Sequence, residues 1–153
     1  MTIYLVRHAK AGSRRAWPDD DELRPVSKAG RTQARAVAKV LGGAGVTRIV
    51  SSPFVRCRET VEPLGQRIGV AVEVADALAE GATLADALRL VEKLAEEHAV
   101  LCSHGDVLGG LLNHYSRAGA ELDDDRLEKA SVWVLELVDG DVQSAHYLAP
   151  PGG

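Results

Sequence analysis

The feature that most constrains this chain is a strict alternation of two hydrophobic periods. Short β-branched and apolar runs at residues 2–6, 47–50, 70–74 and 99–102 alternate with stretches of helical spacing at about 28–42, 54–68, 83–97 and 106–117. On the first helical stretch Ala29, Gln33, Val37, Val40 and Leu41 mark one face, and Ser27 stands where an N-cap is needed. On the third, Leu84, Leu88, Val91 and Leu94 form the stripe. Two further runs, 131–138 and 142–147, flank Asp139-Gly140, a strong hairpin signal. The order β-α-β-α-β-α-β-α-β-β predicts an α/β fold, a three-layer α/β/α sandwich with a mainly parallel central sheet and an antiparallel edge.

A chain of 153 residues fits one domain, expected over 1–149, with Pro150-Pro151-Gly152-Gly153 as a frayed tail. Aromatic residues make up only 4%, so Ala, Val and Leu must build the core. No run approaches the roughly 18 apolar residues of a membrane span. The opening MTIYLVRH lacks the basic region and long apolar stretch of a signal peptide. Cys57 and Cys102 belong to no paired metal or redox motif and read as packing residues. A cytoplasmic protein without membrane association is therefore expected, its oligomeric state left open.

The net charge of −4 conceals an asymmetry. Residues 1–67 carry 13 Lys/Arg against 6 Asp/Glu (+7), whereas residues 68–153 carry 5 against 16 (−11). A basic first half suits an anionic ligand, although solvated helix faces account for arginines equally well. The overall pI of about 5.7 and the lack of aromatics among the basic residues argue against a nucleic acid polymer as partner.

Ligands of open α/β sheets gather beyond the carboxyl ends of the strands. There the first strand delivers Arg7 and His8, the second leads through Ser51-Ser52 towards Arg56, and the fourth delivers Ser103-His104-Gly105. Arginine forks match phosphate oxygens, and a neutral imidazole can attack phosphorus. A proton for the leaving oxygen calls for a carboxylic acid, and Glu80, after the third strand, is the best-placed candidate. Taken singly, each has a plainer explanation: a structural histidine, a solvated arginine, a helix N-terminal glutamate. Their joint fall on one side of the sheet favours phosphate chemistry. No His/Asp/Glu cluster has metal-ligand spacing, so neither metal nor cofactor is expected.

The run LVRHA at 5–9 resembles the Arg-His-Gly signature of the histidine phosphatase superfamily, with its phosphoglycerate mutase-like fold. SSPFVRCRET at 51–60 and CSHGDV at 102–107 are similar to its second and third signatures. LRPVSKAGRTQA at 23–34 is similar to a segment of the short SixA-type phosphohistidine phosphatases. The resemblance implies a phosphatase acting through a phosphohistidine on His8, with Arg7, Arg56 and His104 on the phosphoryl oxygens. It implies Glu80 as proton donor and Ser13, Arg14 and Gly105 as substrate contacts. The implied partner is a phosphorylated small molecule or a phosphohistidine protein.

Two departures stand out. Ala9 replaces the usual glycine, and Lys10 stands where mutases of the superfamily carry glutamate, which argues against a sugar-phosphate mutase. KASVWVLEL at 129–137 resembles the closing segment of histidine phosphatase domains fused to Nudix hydrolases, which leaves a nucleotide substrate open. A phosphate-binding module without catalysis is the rival from another class.

Overall fold

The computed structural model describes residues 1–151, so the end of the expected tail, Gly152 and Gly153, lies outside the described residues. Four βα units come first. They are β1 (Thr2–Arg7) with α1 (Lys28–Leu41), β2 (Arg48–Ser51) with α2 (Val55–Ile68), β3 (Val72–Val74) with α3 (Leu84–Lys93), and β4 (Ala99–Ser103) with α4 (Gly105–Arg117). A two-residue strand β5 (Glu121–Leu122) precedes the hairpin of β6 (Val132–Val138) and β7 (Asp141–Leu148). Among the described residues no helix is long and apolar enough to cross a membrane.

The seven strands form one sheet in the order β3-β2-β4-β1-β6-β7-β5. β1 to β4 run parallel. β6 alone opposes them, because β7 turns back antiparallel to β6 and β5 pairs parallel to β7. The antiparallel feature is thus one strand set inside the sheet, with β5 as its outermost neighbour. The hairpin turn forms as Asp139-Gly140 predicts, with φ of 51° and 83°, the pair of positive values a two-residue turn of the favoured hand requires.

Strand alternation divides the apolar residues into two cores. Ile3, Leu5, Ala99 and Leu101 pack with Ala87 and Val91 of α3 and Leu108 and Leu111 of α4. Val6, Val100 and Cys102 pack on the opposite face with Val37 and Leu41 of α1 and Val61 and Leu64 of α2. The helical stripes fall slightly off the expected positions. Gly30, Ala34, Val37, Ala38 and Leu41 are buried in α1, whereas Val40 is 47% exposed. In α3, Ala87 and Val91 are buried, and Leu84 is 42% exposed in the first turn. That helix also ends at Lys93, short of the expected residue 97.

The long segment between β1 and α1 is tied down rather than free. Ser27 caps α1 by accepting the Gly30 N–H, and its own N–H donates to the Lys10 carbonyl at 2.9 Å. Gly30 lets that loop lie against the helix, since a Cβ there would stand 1.9 Å from the Lys10 carbonyl oxygen. Gly30→Ala is therefore expected to destabilise the fold by about 3 kcal/mol, the scale of an overpacked contact that backbone must relieve. Guanidinium unfolding measures this directly, and a loss under about 1 kcal/mol would mean the loop yields easily.

Candidate active site

β1 ends with Arg7, and the chain continues straight into His8, whose N–H donates to the Ser103 carbonyl at 3.1 Å. This bond extends the β1–β4 pairing by one residue and places His8 beside His104, with ring centroids 5.4 Å apart. His8 Nδ1 lies 2.9 Å from the Ala9 carbonyl. A carbonyl only accepts, so Nδ1 carries the hydrogen and Nε2 keeps its lone pair.

Burial lowers the His8 pKa to about 3, assisted by His104, Arg56 and Arg7 and opposed by the Ala9 hydrogen bond. The ring is thus neutral in the folded state while an unfolded histidine still gains a proton below pH 6.5. The unfolded state binds more protons between pH 6.5 and 3, so this contribution to stability is lost as pH falls through that window. The slope is about 1.4 kcal/mol per pH unit. Between pH 6.5 and 4.5 the wild type should lose about 2–3 kcal/mol more than His8→Asn in denaturant titrations. Parallel losses would mean that His8 protonates normally when folded.

His104 is the N-cap of α4. Its Nε2 lies 2.8 Å from Ser52 Oγ and 3.5 Å from the Cys57 sulfur, and its ring meets the Phe54 ring edge-on at 4.8 Å. Ser52 Oγ also accepts the Phe54 N–H at 3.2 Å and keeps one hydroxyl hydrogen to give. Cys57 therefore packs against the site rather than only within the core.

Arg7 donates through Nη1 to the Leu127 carbonyl at 2.6 Å. Its guanidinium lies over Gly105, where a Cβ would stand 3.2 Å from Cζ and Nη2. The place of Gly105 in the site is thus steric: it makes room for Arg7. Arg56, in the first turn of α2, is fully buried. Its Nη1 and Nη2 donate to the carbonyl and carboxylate of Asp21 at 2.9 and 3.0 Å. Among the described residues, Arg7 Nε, Arg56 Nε and His104 Nδ1 are buried without a hydrogen-bond partner. Three unmet buried nitrogens around one neutral histidine are costly unless an acceptor-rich ligand meets them.

Sequence reasoning passed over the residue that organises these cations. Asp21 holds Arg56 through Oδ2, and its Oδ1 accepts from Arg24 Nε at 2.9 Å and pairs with Arg14 Nε at 3.3 Å. Burial opposes the Asp21 charge, but the Arg24 hydrogen bond and the Arg56 charge outweigh it and hold the carboxyl below its usual range. Arg24 is itself buried and ties the loop by donating to the Gly12 carbonyl at 2.6 Å. Its only sequence signal was the Leu-Arg-Pro segment.

Glu80 Oε1 lies 3.3 Å from Arg14 Nη2 and 3.6 Å from Arg56 Nη2. The Gly81 N–H beside it donates to Asp106 Oδ2 at 2.8 Å. Arg7, His8, Arg14, Glu80 and His104 share the lining of one cavity of about 410 Å³ with Arg24, Gly105, Asp106 and Lys129. Arg56 is not among the lining residues, and its Nη1 and Nη2 are held by Asp21. Ser13 is not brought in, and its Oγ accepts the Ala16 N–H at 3.4 Å. Among the described residues no group of three or more His, Cys, Asp or Glu is placed to hold a metal ion.

A family model described as "Histidine phosphatase superfamily (branch 1)" matches residues 3–85. An 8-oxo-(d)GTP phosphatase of Mycolicibacterium smegmatis is 36% identical over 156 residues, covering 98% of this chain and 48% of the relative. A glucosyl-3-phosphoglycerate phosphatase of Mycobacterium tuberculosis is 40% identical over 82 residues, 51% of this chain and 35% of the relative. The chain therefore spans about half, or less, of the length of these curated relatives. Among solved structures, the protein histidine phosphatase SixA complexed with tungstate superposes with a TM-score of 0.77 at 19% identity. That superposition covers 97% of this chain and 94% of the other.

Proposed function

The chain belongs to the histidine phosphatase superfamily, and on that premise we propose that it is a phosphatase working through a phosphohistidine on His8. The observation that carries this reading is a neutral histidine with a free Nε2, flanked by the unmet donors of Arg7, Arg56 and His104. In the first step the Nε2 lone pair forms a bond to phosphorus in line with the departing oxygen, whose bond breaks and keeps the electron pair. Arg7 Nε, Arg56 Nε and His104 Nδ1 donate to the phosphoryl oxygens and offset their charge. Ser52, by donating to Nε2 of His104, would keep the hydrogen on Nδ1 facing the ligand.

Glu80, in its protonated form, gives its proton to the leaving oxygen. In the second step the resulting carboxylate takes a proton from water, the water oxygen bonds to phosphorus, and the bond to Nε2 breaks. Orthophosphate leaves with His8 restored, and no metal is needed. The substrate class has support on two sides. The likeness of nearly this whole chain to part of an 8-oxo-(d)GTP phosphatase favours a nucleotide, and the SixA-type architecture favours phosphohistidine on a protein.

Leaving-group dependence tests this mechanism. In EDTA, the wild type should hydrolyse p-nitrophenyl phosphate, with orthophosphate and vanadate competing. Glu80→Gln should slow alkyl phosphates at least about tenfold more than p-nitrophenyl phosphate, because a general acid matters most for a basic leaving oxygen. Activity lost in EDTA and restored by a divalent ion would point to metal-assisted chemistry. Equal slowing across leaving groups would remove Glu80 from the role and leave Asp106 as the next carboxylate to test.

A further inference from the structure

Lys129 borders two spaces. It lines the His8 cavity, and it also lines an adjoining groove of about 520 Å³ together with Lys10, Gln33 and Pro150. Neither lysine is a loose surface residue at its backbone. Lys129 precedes Ala130, which adopts φ of 66°, a left-handed conformation that costs an alanine about 1–2 kcal/mol. That conformation is held by the Ala130 N–H, which reaches the carbonyls of Arg7 and His8 at 3.0 and 3.2 Å. Strain kept in place beside a site is a mark of a position that function requires. Lys10 is fixed in turn by its N–H, which donates to Gln33 Oε1 at 2.9 Å, and by its carbonyl, which accepts from Ser27.

The charge balance around these lysines is uneven. Asp21 and Glu80 engage Arg14, Arg24 and Arg56, yet among the described residues neither Lys10 nor Lys129 is paired with a carboxylate. Glu128, the one acid on the groove among the described residues, lies 3.4 Å from the Tyr147 hydroxyl. Burial, and then the charges of Arg7, Arg24, Arg56 and Arg14, push the Lys129 ammonium below its ordinary pKa. A phosphoryl group at His8 would already meet Arg7, Arg56 and His104, so two more unpaired cations alongside indicate additional negative charge on the ligand.

We propose that Lys129 and Lys10 form a second anion subsite, holding an anionic group covalently linked to the phosphoryl group at His8. The proposal rests on the reading of His8 as the phosphoryl site. Two chemistries provide such a group: the next phosphate of a phosphoanhydride, as in a nucleoside di- or triphosphate, and the carboxylate of a phosphoglycerate ester. A phosphohistidine side chain has neither.

Titration calorimetry with orthophosphate, inorganic pyrophosphate and 3-phosphoglycerate separates these cases. The wild type should bind pyrophosphate or 3-phosphoglycerate at least about tenfold more tightly than orthophosphate, on the scale of one to two charge-assisted contacts. Lys10→Ala/Lys129→Ala should reduce that ratio to about threefold or less, while Lys39→Ala, which removes an exposed charge elsewhere, should keep it. A lysine-dependent preference for pyrophosphate identifies the phosphoanhydride, and one for 3-phosphoglycerate identifies the carboxylate. Orthophosphate binding without any preference, or a preference that survives in the double variant, overturns the subsite alone. Failure of all three ligands to bind would instead overturn the His8 phosphoryl site, and the subsite with it.

Discussion

His8→Ala is expected to lower kcat/KM by at least about a thousandfold while leaving the protein folded, the scale on which loss of a nucleophile is felt. The main-chain bond that anchors this position, from the His8 N–H to the Ser103 carbonyl, survives the substitution. What disappears is the Nε2 lone pair, and no other group in the cavity replaces it. His104 sits 5.4 Å away, but its Nε2 is engaged by Ser52. Steady-state kinetics on p-nitrophenyl phosphate, with far-UV circular dichroism to confirm folding, checks this. A variant within tenfold of wild type would mean that phosphorus is attacked by something else.

Arg56→Ala should cost about a hundred- to a thousandfold in kcat/KM, as expected for removing one preorganised donor from a developing charge. Its effect has two parts, because Arg56 is also bound by Asp21. Without the guanidinium, the Asp21 carboxylate keeps only Arg24 and Arg14, and its remaining charge repels the phosphoryl group. Asp21→Asn in the Arg56→Ala background is therefore expected to restore about tenfold, whereas Asp21→Asn alone should weaken the enzyme by releasing Arg56 and Arg24. Such opposite signs are the mark of two residues acting as one unit. Arg56→Lys should recover little, since an ammonium cannot hold Asp21 through two nitrogens and still present a third donor. Additive losses in the double variant would show that Asp21 and Arg56 act separately.

The parts of this protein that were legible in its sequence are those that local rules govern. Period-two and period-3.6 patterns marked the four βα units, Ser27 stood at a helix cap, and Asp139-Gly140 marked the hairpin turn. Arg7, His8, Arg56, Glu80 and His104 were legible because strand ends and the segments after them supply the residues at the mouth of such a sheet. β5 was not, since two residues paired only to the edge of β7 carry no period.

Asp21 and Arg24 escaped for a different reason. The Asp21–Arg56 contact joins residues 35 apart, and spacing alone gives no sign that a turn of the loop after β1 closes on the start of α2. That loop looked long and unstructured, yet Arg24 is buried and an isolated bridge joins Ala11 to Val26. Gly105 was legible as a site residue but not in its manner of acting, which depends on where Arg7 folds. Lys129 entered the sequence reading only as the first residue of KASVWVLEL, two residues before the expected strand at 131–138. Its place beside the phosphoryl cavity follows from the β1–β6 pairing and from the Ala130 conformation.

The claim that His8 carries the phosphoryl group is tested most directly by trapping it. Enzyme mixed with a phosphorylated substrate should be quenched in base within the first turnovers, digested, and mapped by mass spectrometry. The account predicts a phosphoryl adduct on the peptide containing His8, stable in base, lost in acid, and absent from His8→Ala. An adduct on another residue, or full turnover with no adduct at any quench time, would contradict it.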